Sequence, residues 1–311
     1  MFLRLLAFPI AAALLSAAPG PSAAQEAPRV VASIPPVHSL VAGVMDGIGT
    51  PELLVPATAS AHTYTLRPSD ARQLSQADVI FWIGPVYESF LAKPLASLAP
   101  RARIVRLMDA PGIVVLRGRS GGAWEEDHAH ERHARAASDA EVDGHLFLDP
   151  GNAKAIARAA ADALAAQDPA NAVRYRTNAE AVQTRLDALD AELRKILEPV
   201  RGRPFVVFHD AYQYFDQRYG LNAVGSVTIS PERQPGAQRL QRLRRKIAVL
   251  KAVCVFTEPQ FEPALVETIV QGSKAKTGVL DPLGADIPPG QDAYFELLRG
   301  LARSLTGCLA E

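Results

Sequence analysis

Short apolar segments alternate with amphipathic segments in two separate series along this sequence, and this alternation restricts the fold most strongly. In the first series the apolar segments are residues 29–34, 53–55, 79–83, 104–105 and 113–116. In the second series they are residues 204–208, 222–228, 253–256 and 278–280. Stretches with helical spacing of apolar residues lie between most of them. Strands that alternate with helices predict an α/β fold with two lobes, each built on a small parallel sheet.

A single long helix is predicted between the two series, over residues 172–197. Its apolar residues recur at steps of four and three along one face: Val182, Leu186, Leu189, Leu193 and Ile196. At about 1.5 Å per residue the helix is roughly 39 Å long, enough to run along a whole molecule. We interpret it as a rigid connection between two Rossmann-like lobes, although an ordinary packing helix has the same pattern. The predicted divisions are an N-terminal lobe (25–167), the linker helix (168–199) and a C-terminal lobe (200–311).

The first 24 residues are predicted to be a signal peptide. Arg4 precedes an apolar run over residues 5–18, helix breakers follow, and residues 22–24 fit a cleavage site. The run is too short to span a bilayer comfortably, and no later stretch is apolar for long enough. We therefore expect an exported, soluble protein without direct membrane insertion.

The charges of the chain balance. Lys and Arg together number 33, and Asp and Glu together also number 33. A chain so close to neutrality has no bulk electrostatic reason to bind nucleic acid or an anionic membrane. We expect neither as a partner.

The sequence contains two cysteines, Cys254 and Cys308, which lie 54 positions apart. In an oxidising compartment an even pair favours one disulfide, and two buried free thiols are the alternative. The pair has no CxxC spacing, which argues against a metal role.

Histidines next to predicted strands are the main candidates for chemistry. His62, His209 and Asp281 each follow a predicted strand, and His145 follows a segment rich in glycine, charge and histidine. Ligands of open parallel sheets bind beyond the carboxyl ends of the strands, so these four side chains could meet in a cleft between the lobes. Three imidazoles and one carboxylate suit tetrahedral zinc, while imidazole also suits copper and nickel. Their separations match no short metal motif, so buried structural histidines remain an alternative at this point.

Residues 117–144 have no periodic apolar pattern, and we predict a mobile surface loop there. The loop contains a cluster of three further histidines: His128, His130 and His133. Neutral imidazoles could ligate a metal ion at neutral pH, and a solvated linker without function is the alternative.

Three more residues are expected beside the strand-end histidines. We interpret His38 as a structural histidine, or one that supports a ligand from behind. Tyr64 and Glu258 are candidates to hold the free ring nitrogen of a metal-bound histidine, which such rings usually require.

Five segments make the sequence similar to the substrate-binding proteins of zinc-uptake ABC importers, the ZnuA-like group of the zinc and manganese receptor family. The resemblance covers nearly all of the chain after the leader. The segments are Ala61–Asp70, Gly144–Pro150, Phe205–Tyr212, Phe256–Phe261 and Leu280–Gly284. It implies two lobes with small parallel sheets, one long helix between them and a metal ion in the cleft.

The resemblance also implies the ligands. His62, His145 and His209 are expected to bind Zn²⁺, and Asp281 or water to fill the fourth position. Some zinc-type relatives carry a glutamate directly before the first histidine, whereas this sequence has Ala61, which favours Asp281 or water. Manganese-type relatives carry a carboxylate where this chain has His209, so zinc is the expected metal.

The remaining implications concern the setting of the protein. The resemblance implies a Cys254–Cys308 disulfide, weak secondary zinc capture by the loop histidines, and a periplasmic location of the Gram-negative type. The expected partners are the membrane permease of a zinc ABC importer and its ATPase. We expect the protein itself to be a monomer.

Three other functions are alternatives for a chain of this kind. A manganese or iron receptor of the same fold is the nearest alternative, and His209 argues against it. A zinc hydrolase would need a general base beside a bound water, yet the sequence has no HExxH motif and no nucleophile elbow. A tethered adhesin lacks support because no lipid-anchor cysteine lies near the predicted cleavage site. We therefore expect a binding protein and not an enzyme.

Overall fold

A computed structural model of the chain describes residues 26–119, 142–228, 236–262 and 264–310. The N-terminal sheet has four parallel strands in the order β2-β1-β3-β4. The strands are β1 (Val30–Ala32), β2 (Glu52–Leu53), β3 (Val79–Trp82) and β4 (Arg103–Arg106). The helices that alternate with them are α1 (Pro35–Val44), α2 (Pro68–Gln76) and α3 (Ala92–Leu98). Strands β1 and β3 are buried along their whole length, as strands covered on both faces of a parallel sheet are.

Two antiparallel helices leave this lobe and lead to the next. Helix α4 spans Pro150–Gln167, and α5 spans Ala172–Leu197. Asp149 caps α4 because its carboxylate accepts a hydrogen bond from the backbone N–H of Gly151 at 2.7 Å. Many alanines of α4 are buried, and their small side chains allow α5 to pack closely beside it.

The C-terminal sheet repeats the strand order of the first. Its parallel strands lie in the order β6-β5-β7-β8, which is the same topology one lobe later. The strands are β5 (Pro204–Val207), β6 (Asn222–Ser226), β7 (Cys254–Thr257) and β8 (Lys276–Val279). The helices of this lobe are α6 (Gln213–Tyr219), α7 (Ala237–Leu250), α8 (Ala264–Val270) and α9 (Ala293–Leu309).

Helix α5 packs against both lobes. It contacts α1 and α4, which belong to the first half of the chain, and α9 of the C-terminal lobe. Buried residues of both lobes and of α5 form one continuous apolar core. The predicted α/β class and the predicted long helix are therefore confirmed.

A disulfide joins Cys254 at the start of β7 to Cys308 near the end of α9. The predicted pairing is confirmed, and it fastens the last helix to the C-terminal sheet. Within the described ranges no helix combines the length and hydropathy needed to cross a membrane.

Some local expectations were wrong. Residues 113–116 form no strand, because their backbone groups bond to side chains: Val114 N–H donates to Asn152 Oδ1 and Leu116 N–H to the Tyr214 hydroxyl. Pro35 directly follows the apolar segment of β1 and begins α1, since proline suits the first helical turn. Helix α6 was missed.

Two predicted features lie outside the described residues. They are the signal peptide over residues 1–24 and most of the loop over residues 117–144, including His128, His130 and His133.

Candidate metal site

Three histidines converge at the carboxyl ends of the two sheets. His62 lies in the loop between β2 and α2, and His145 directly precedes a short 3-10 turn that leads into α4. His209 lies two residues after β5. The Nε2 atom of His145 is 3.2 Å from Nε2 of His62 and 3.2 Å from Nε2 of His209. Within the described residues these three side chains form a group whose ligand atoms all lie within 4.8 Å of one another.

Carboxylates behind two of the rings determine which nitrogen carries the proton. His145 Nδ1 is 2.7 Å from Asp143 Oδ1, and His209 Nδ1 is 2.8 Å from Glu258 Oε1. Nδ1–H therefore donates in each ring, and the Nε2 lone pair is left facing the other imidazoles. Both carboxylates are buried, so these hydrogen bonds are little exposed to competition from water.

The spacing of the Nε2 atoms matches the requirement of a tetrahedral zinc ion. Zinc binds imidazole nitrogen at about 2.0–2.1 Å, so two ligand nitrogens in a tetrahedron lie about 3.3–3.4 Å apart. The two measured Nε2–Nε2 distances of 3.2 Å are close to this value. Lone pairs held so close without a hydrogen between them repel, and a cation at their centre removes that repulsion.

Aromatic rings pack around the imidazoles. The Tyr87 ring contacts His62 edge-on, with 4.7 Å between ring centroids, and His145 in the same way at 5.0 Å. Gly144 allows this contact, because a Cβ there would lie 2.8 Å from the Tyr87 Cβ. On the other side, the centroids of the Phe261 and His209 rings lie 6.2 Å apart. The rings restrict the imidazoles and exclude water from their flanks.

A buried carboxyl supports the turn that carries Tyr87. Glu88 has no exposed surface, accepts a hydrogen bond from Gly84 N–H at 3.0 Å and is also bonded to the Ser33 hydroxyl. Burial raises the pKa of Glu88 to about 7. The carboxyl thus joins the ends of β1 and β3 beneath the site.

Burial and mutual proximity keep two of the histidines neutral. Burial lowers the pKa of His62 well below its usual value, and the neighbouring His145 and His209 lower it further. The pKa of His145 is likewise well below its usual value because of burial and His209. For His209, burial opposes the charged form, but Glu258, with smaller contributions from Asp210 and Asp143, raises the pKa. His209 is therefore the ring of the three that binds a proton most readily.

Asp281, predicted as a fourth ligand, is engaged elsewhere in this structure. Its carboxylate accepts hydrogen bonds from Gln260 Nε2 at 2.9 Å and from the backbone N–H groups of Leu283 and Gly284, each at 3.0 Å. The group of converging ligand atoms does not include it. A carboxylate that follows a strand can stabilise its own turn, and here Asp281 does so.

Of the three residues expected beside the ligand histidines, only one contacts a ring of the cluster. Glu258 contacts a ring nitrogen as expected, but the Tyr64 hydroxyl donates to Asp70 at 2.8 Å, at the start of α2. His38 donates through Nε2 to the carbonyl oxygen of Pro51 at 2.9 Å. The partner of His145, Asp143, was not predicted. Its signal in the sequence is an acidic residue two positions before His145.

Fold and site together define a two-lobed α/β protein that can bind a transition-metal ion between its parallel sheets. The chain belongs to the ZnuA family, the periplasmic component A of zinc-uptake complexes, whose family model matches residues 30–308.

Similar proteins agree with this membership. The chain is 46% identical to the high-affinity zinc uptake system protein ZnuA of Brucella suis biovar 1, covering 97% of this chain and 98% of the relative. It is 38% identical to the protein of the same name from Paracoccus denitrificans, covering 96% and 97%. Among solved structures, a zinc-bound ZnuA deletion mutant shares 28% identity with a TM-score of 0.75, covering 92% of this chain and 99% of that one.

Proposed function

We propose that this protein captures Zn²⁺ in the periplasm and delivers it to an ABC-type importer for high-affinity zinc uptake. The observation that carries the proposal is the convergence of three histidine Nε2 atoms, two of them from buried residues, with 3.2 Å from His145 to each of the other two. His62, His145 and His209 are the proposed ligands, and water or a rearranged Asp281 completes the tetrahedron. Family membership and the zinc-uptake names of the relatives support the same metal.

The charges behind the imidazoles favour a dication. Asp143 and Glu258 each contact one ligand ring, and both are buried. Negative charge close to a buried site attracts a metal ion and raises the basicity of the imidazoles.

The ligand set supports zinc in preference to manganese. Manganese prefers oxygen ligands and higher coordination numbers, whereas three imidazoles in a compact site suit tetrahedral zinc. The aromatic packing by Tyr87 leaves little room for additional ligands on that side of the cluster.

The protein's proposed role is binding without catalysis. Its proposed partners are the permease of a zinc ABC importer and the associated ATPase, and a monomer is the proposed form in solution. The periplasmic description of the family supports the location and the partners. His128, His130 and His133 are proposed to capture zinc weakly as a secondary site.

Zinc-limited growth tests the transport role. A Gram-negative strain that lacks its own zinc receptor is complemented with this protein and grown in the presence of a zinc chelator. We expect the wild-type protein to restore growth and the His209→Ala variant to fail, while His38→Gln restores growth. If the wild-type protein and His209→Ala restore growth equally at equal protein levels, the proposed site is not needed for zinc uptake.

A further inference from the structure

Two short chain segments form a connection between the lobes close to the candidate metal site. Residues 116–119 lie beside residues 142–143: Arg117 and Val142 form an antiparallel bridge, and Asp143 N–H donates to the Leu116 carbonyl at 2.8 Å. We call this pair of segments the stem. Asp143 in the stem also holds the His145 ring, so the position of the stem affects the position of that ring.

The stem is bonded to the C-terminal lobe through α6. The Tyr214 hydroxyl accepts from Leu116 N–H at 2.9 Å and donates to the Asp143 carbonyl at 2.7 Å. Arg119 reaches further, since its Nη2 atom lies 2.8 Å from Asp216 Oδ2 and 2.9 Å from Asp210 Oδ1. Asp210 directly follows His209 in the chain.

The Arg119 contacts are largely shielded from water. The side chain of Arg119 is 17% exposed, and those of Asp210 and Asp216 are 15% and 5% exposed. In such surroundings an unpaired carboxylate is costly, and two carboxylates without a cation between them repel strongly. One guanidinium thus holds together the stem, the loop that carries His209 and helix α6.

We propose that Arg119 is a positioning residue that fixes the distance between His145 and His209 by linking the stem to the carboxylates of Asp210 and Asp216. The proposal rests on the proposed zinc function. Without the guanidinium, repulsion between the carboxylates moves the His209 loop away from the stem, and the two Nε2 atoms separate. Zinc is then bound less tightly and is released faster.

Four variants of the full-length mature protein test this role. Arg119→Met removes the charge and keeps an unbranched side chain, whereas Arg119→Lys retains one positive charge without the planar fork. The double variant Arg119→Met with Asp216→Asn also removes one of the two carboxylates that pair with the arginine. Arg299→Met is the matched control, because Arg299 pairs with Glu192 at 2.8 Å between α9 and α5, away from the histidines.

We expect Arg119→Met to weaken zinc binding about 10–100-fold, the range typical for residues that orient metal ligands. Arg119→Lys should retain part of the affinity, and the added Asp216→Asn change should recover part of it. The visible absorption of bound Co²⁺ should change in Arg119→Met, because it reports the geometry of the ligands. Arg299→Met should lower thermal stability and leave both zinc affinity and the cobalt spectrum unchanged.

Two outcomes would overturn the inference. One is an unchanged zinc affinity and cobalt spectrum in folded Arg119→Met protein. The other is an affinity loss in Arg299→Met equal to that of Arg119→Met, which would trace the effect to general destabilisation. If the wild-type protein itself binds no zinc, the proposed function fails, and this result is distinct from either outcome.

Discussion

At the scale of single residues, the protonation of His209 governs how the candidate site responds to pH. Its ring is bonded to the buried carboxylate of Glu258, which raises its pKa, whereas burial keeps His62 and His145 neutral. A proton and a zinc ion compete for the same Nε2 lone pair. The competition is therefore expected to come mainly from one of the three rings.

The first prediction concerns the pH dependence of zinc affinity. Zinc affinity should be highest above the raised pKa of His209 and should fall as pH drops through that pKa. The expected slope is about tenfold per pH unit, since about one proton is displaced per zinc. Competitive zinc titration between about pH 8 and about pH 5.5 measures this slope. A slope near three protons per zinc would contradict the assignment, since it would mean that all three rings titrate together.

The second prediction concerns the carboxylate itself. Glu258→Gln should weaken zinc binding about 10–100-fold at neutral pH and move the pH-dependent loss to lower pH, because the largest of the charges that raise the pKa of His209 is removed. Glu262→Gln is the control, as it makes the same change at an exposed position nearby. Equal titration curves for the two variants would show that Glu258 does not act on the site.

The carboxyl ends of parallel strands share one edge of a sheet, and from this the sequence predicted only that the histidines could meet. The resemblance to zinc receptors implied that His62, His145 and His209 are the ligands. The sequence revealed neither the contact of Asp143 with His145 nor the hydrogen bonds of Asp281 within its own loop, because the partner of a carboxylate depends on local backbone geometry. Asp281 stabilises its own loop through backbone N–H groups, whereas Asp143 meets a ring two residues away. The two carboxylates have different partners because their loops have different conformations, and residue spacing in the sequence does not predict loop conformation.

At the scale of secondary-structure elements, periodicity was most informative where the elements were long. In α5 the predicted stripe Val182, Leu186, Leu189 and Leu193 is buried, and it ends at Leu197, with Ile196 only partly buried. Short elements were less predictable. Helix α6 is seven residues long and has polar residues among its buried positions, so it lacks an amphipathic pattern.

The disulfide gives the third prediction. Cys254 and Cys308 close a loop with a sequence separation of 54 residues. Replacing both with alanine should lower the free energy of unfolding by about 4 kcal/mol according to the loop-entropy model. Urea unfolding of oxidised wild type and the double variant measures the difference. An unchanged unfolding midpoint would mean that the bond does not constrain the unfolded chain.

At the scale of the whole molecule, the two lobes are joined by more than one connection. Helix α5 packs on both, and the apolar core is continuous between them. Hydrogen bonds also cross the cleft, from the Tyr294 hydroxyl to the Phe147 carbonyl at 2.8 Å and from Gln260 Nε2 to the Ala57 carbonyl at 2.9 Å. A wide hinge motion would break these contacts and expose part of the core.

The fourth prediction follows from these connections. Zinc binding should change the overall dimensions of the protein very little, since ligands 3.2 Å apart need only small shifts to close around the ion. Small-angle X-ray scattering with and without zinc measures the radius of gyration. A large compaction on zinc addition would contradict the rigid connection between the lobes.

The strand order of each lobe illustrates what the sequence left undetermined. The two series of strands and helices predicted two parallel sheets, but not that both have the same order, β2-β1-β3-β4 and β6-β5-β7-β8. Strand order depends on how the connecting helices cross the sheet, which the apolar pattern does not specify.

His62, His145 and His209 together are expected to bind zinc, and competitive zinc titration of the mature protein tests this most directly. The wild-type protein should bind one zinc ion tightly, with manganese a poor competitor. Alanine at any of the three positions should weaken binding strongly, whereas His38→Gln, at a buried histidine outside the cluster, should not. Tight zinc binding that survives all three alanine substitutions, or manganese binding as strong as that of zinc, would contradict the account.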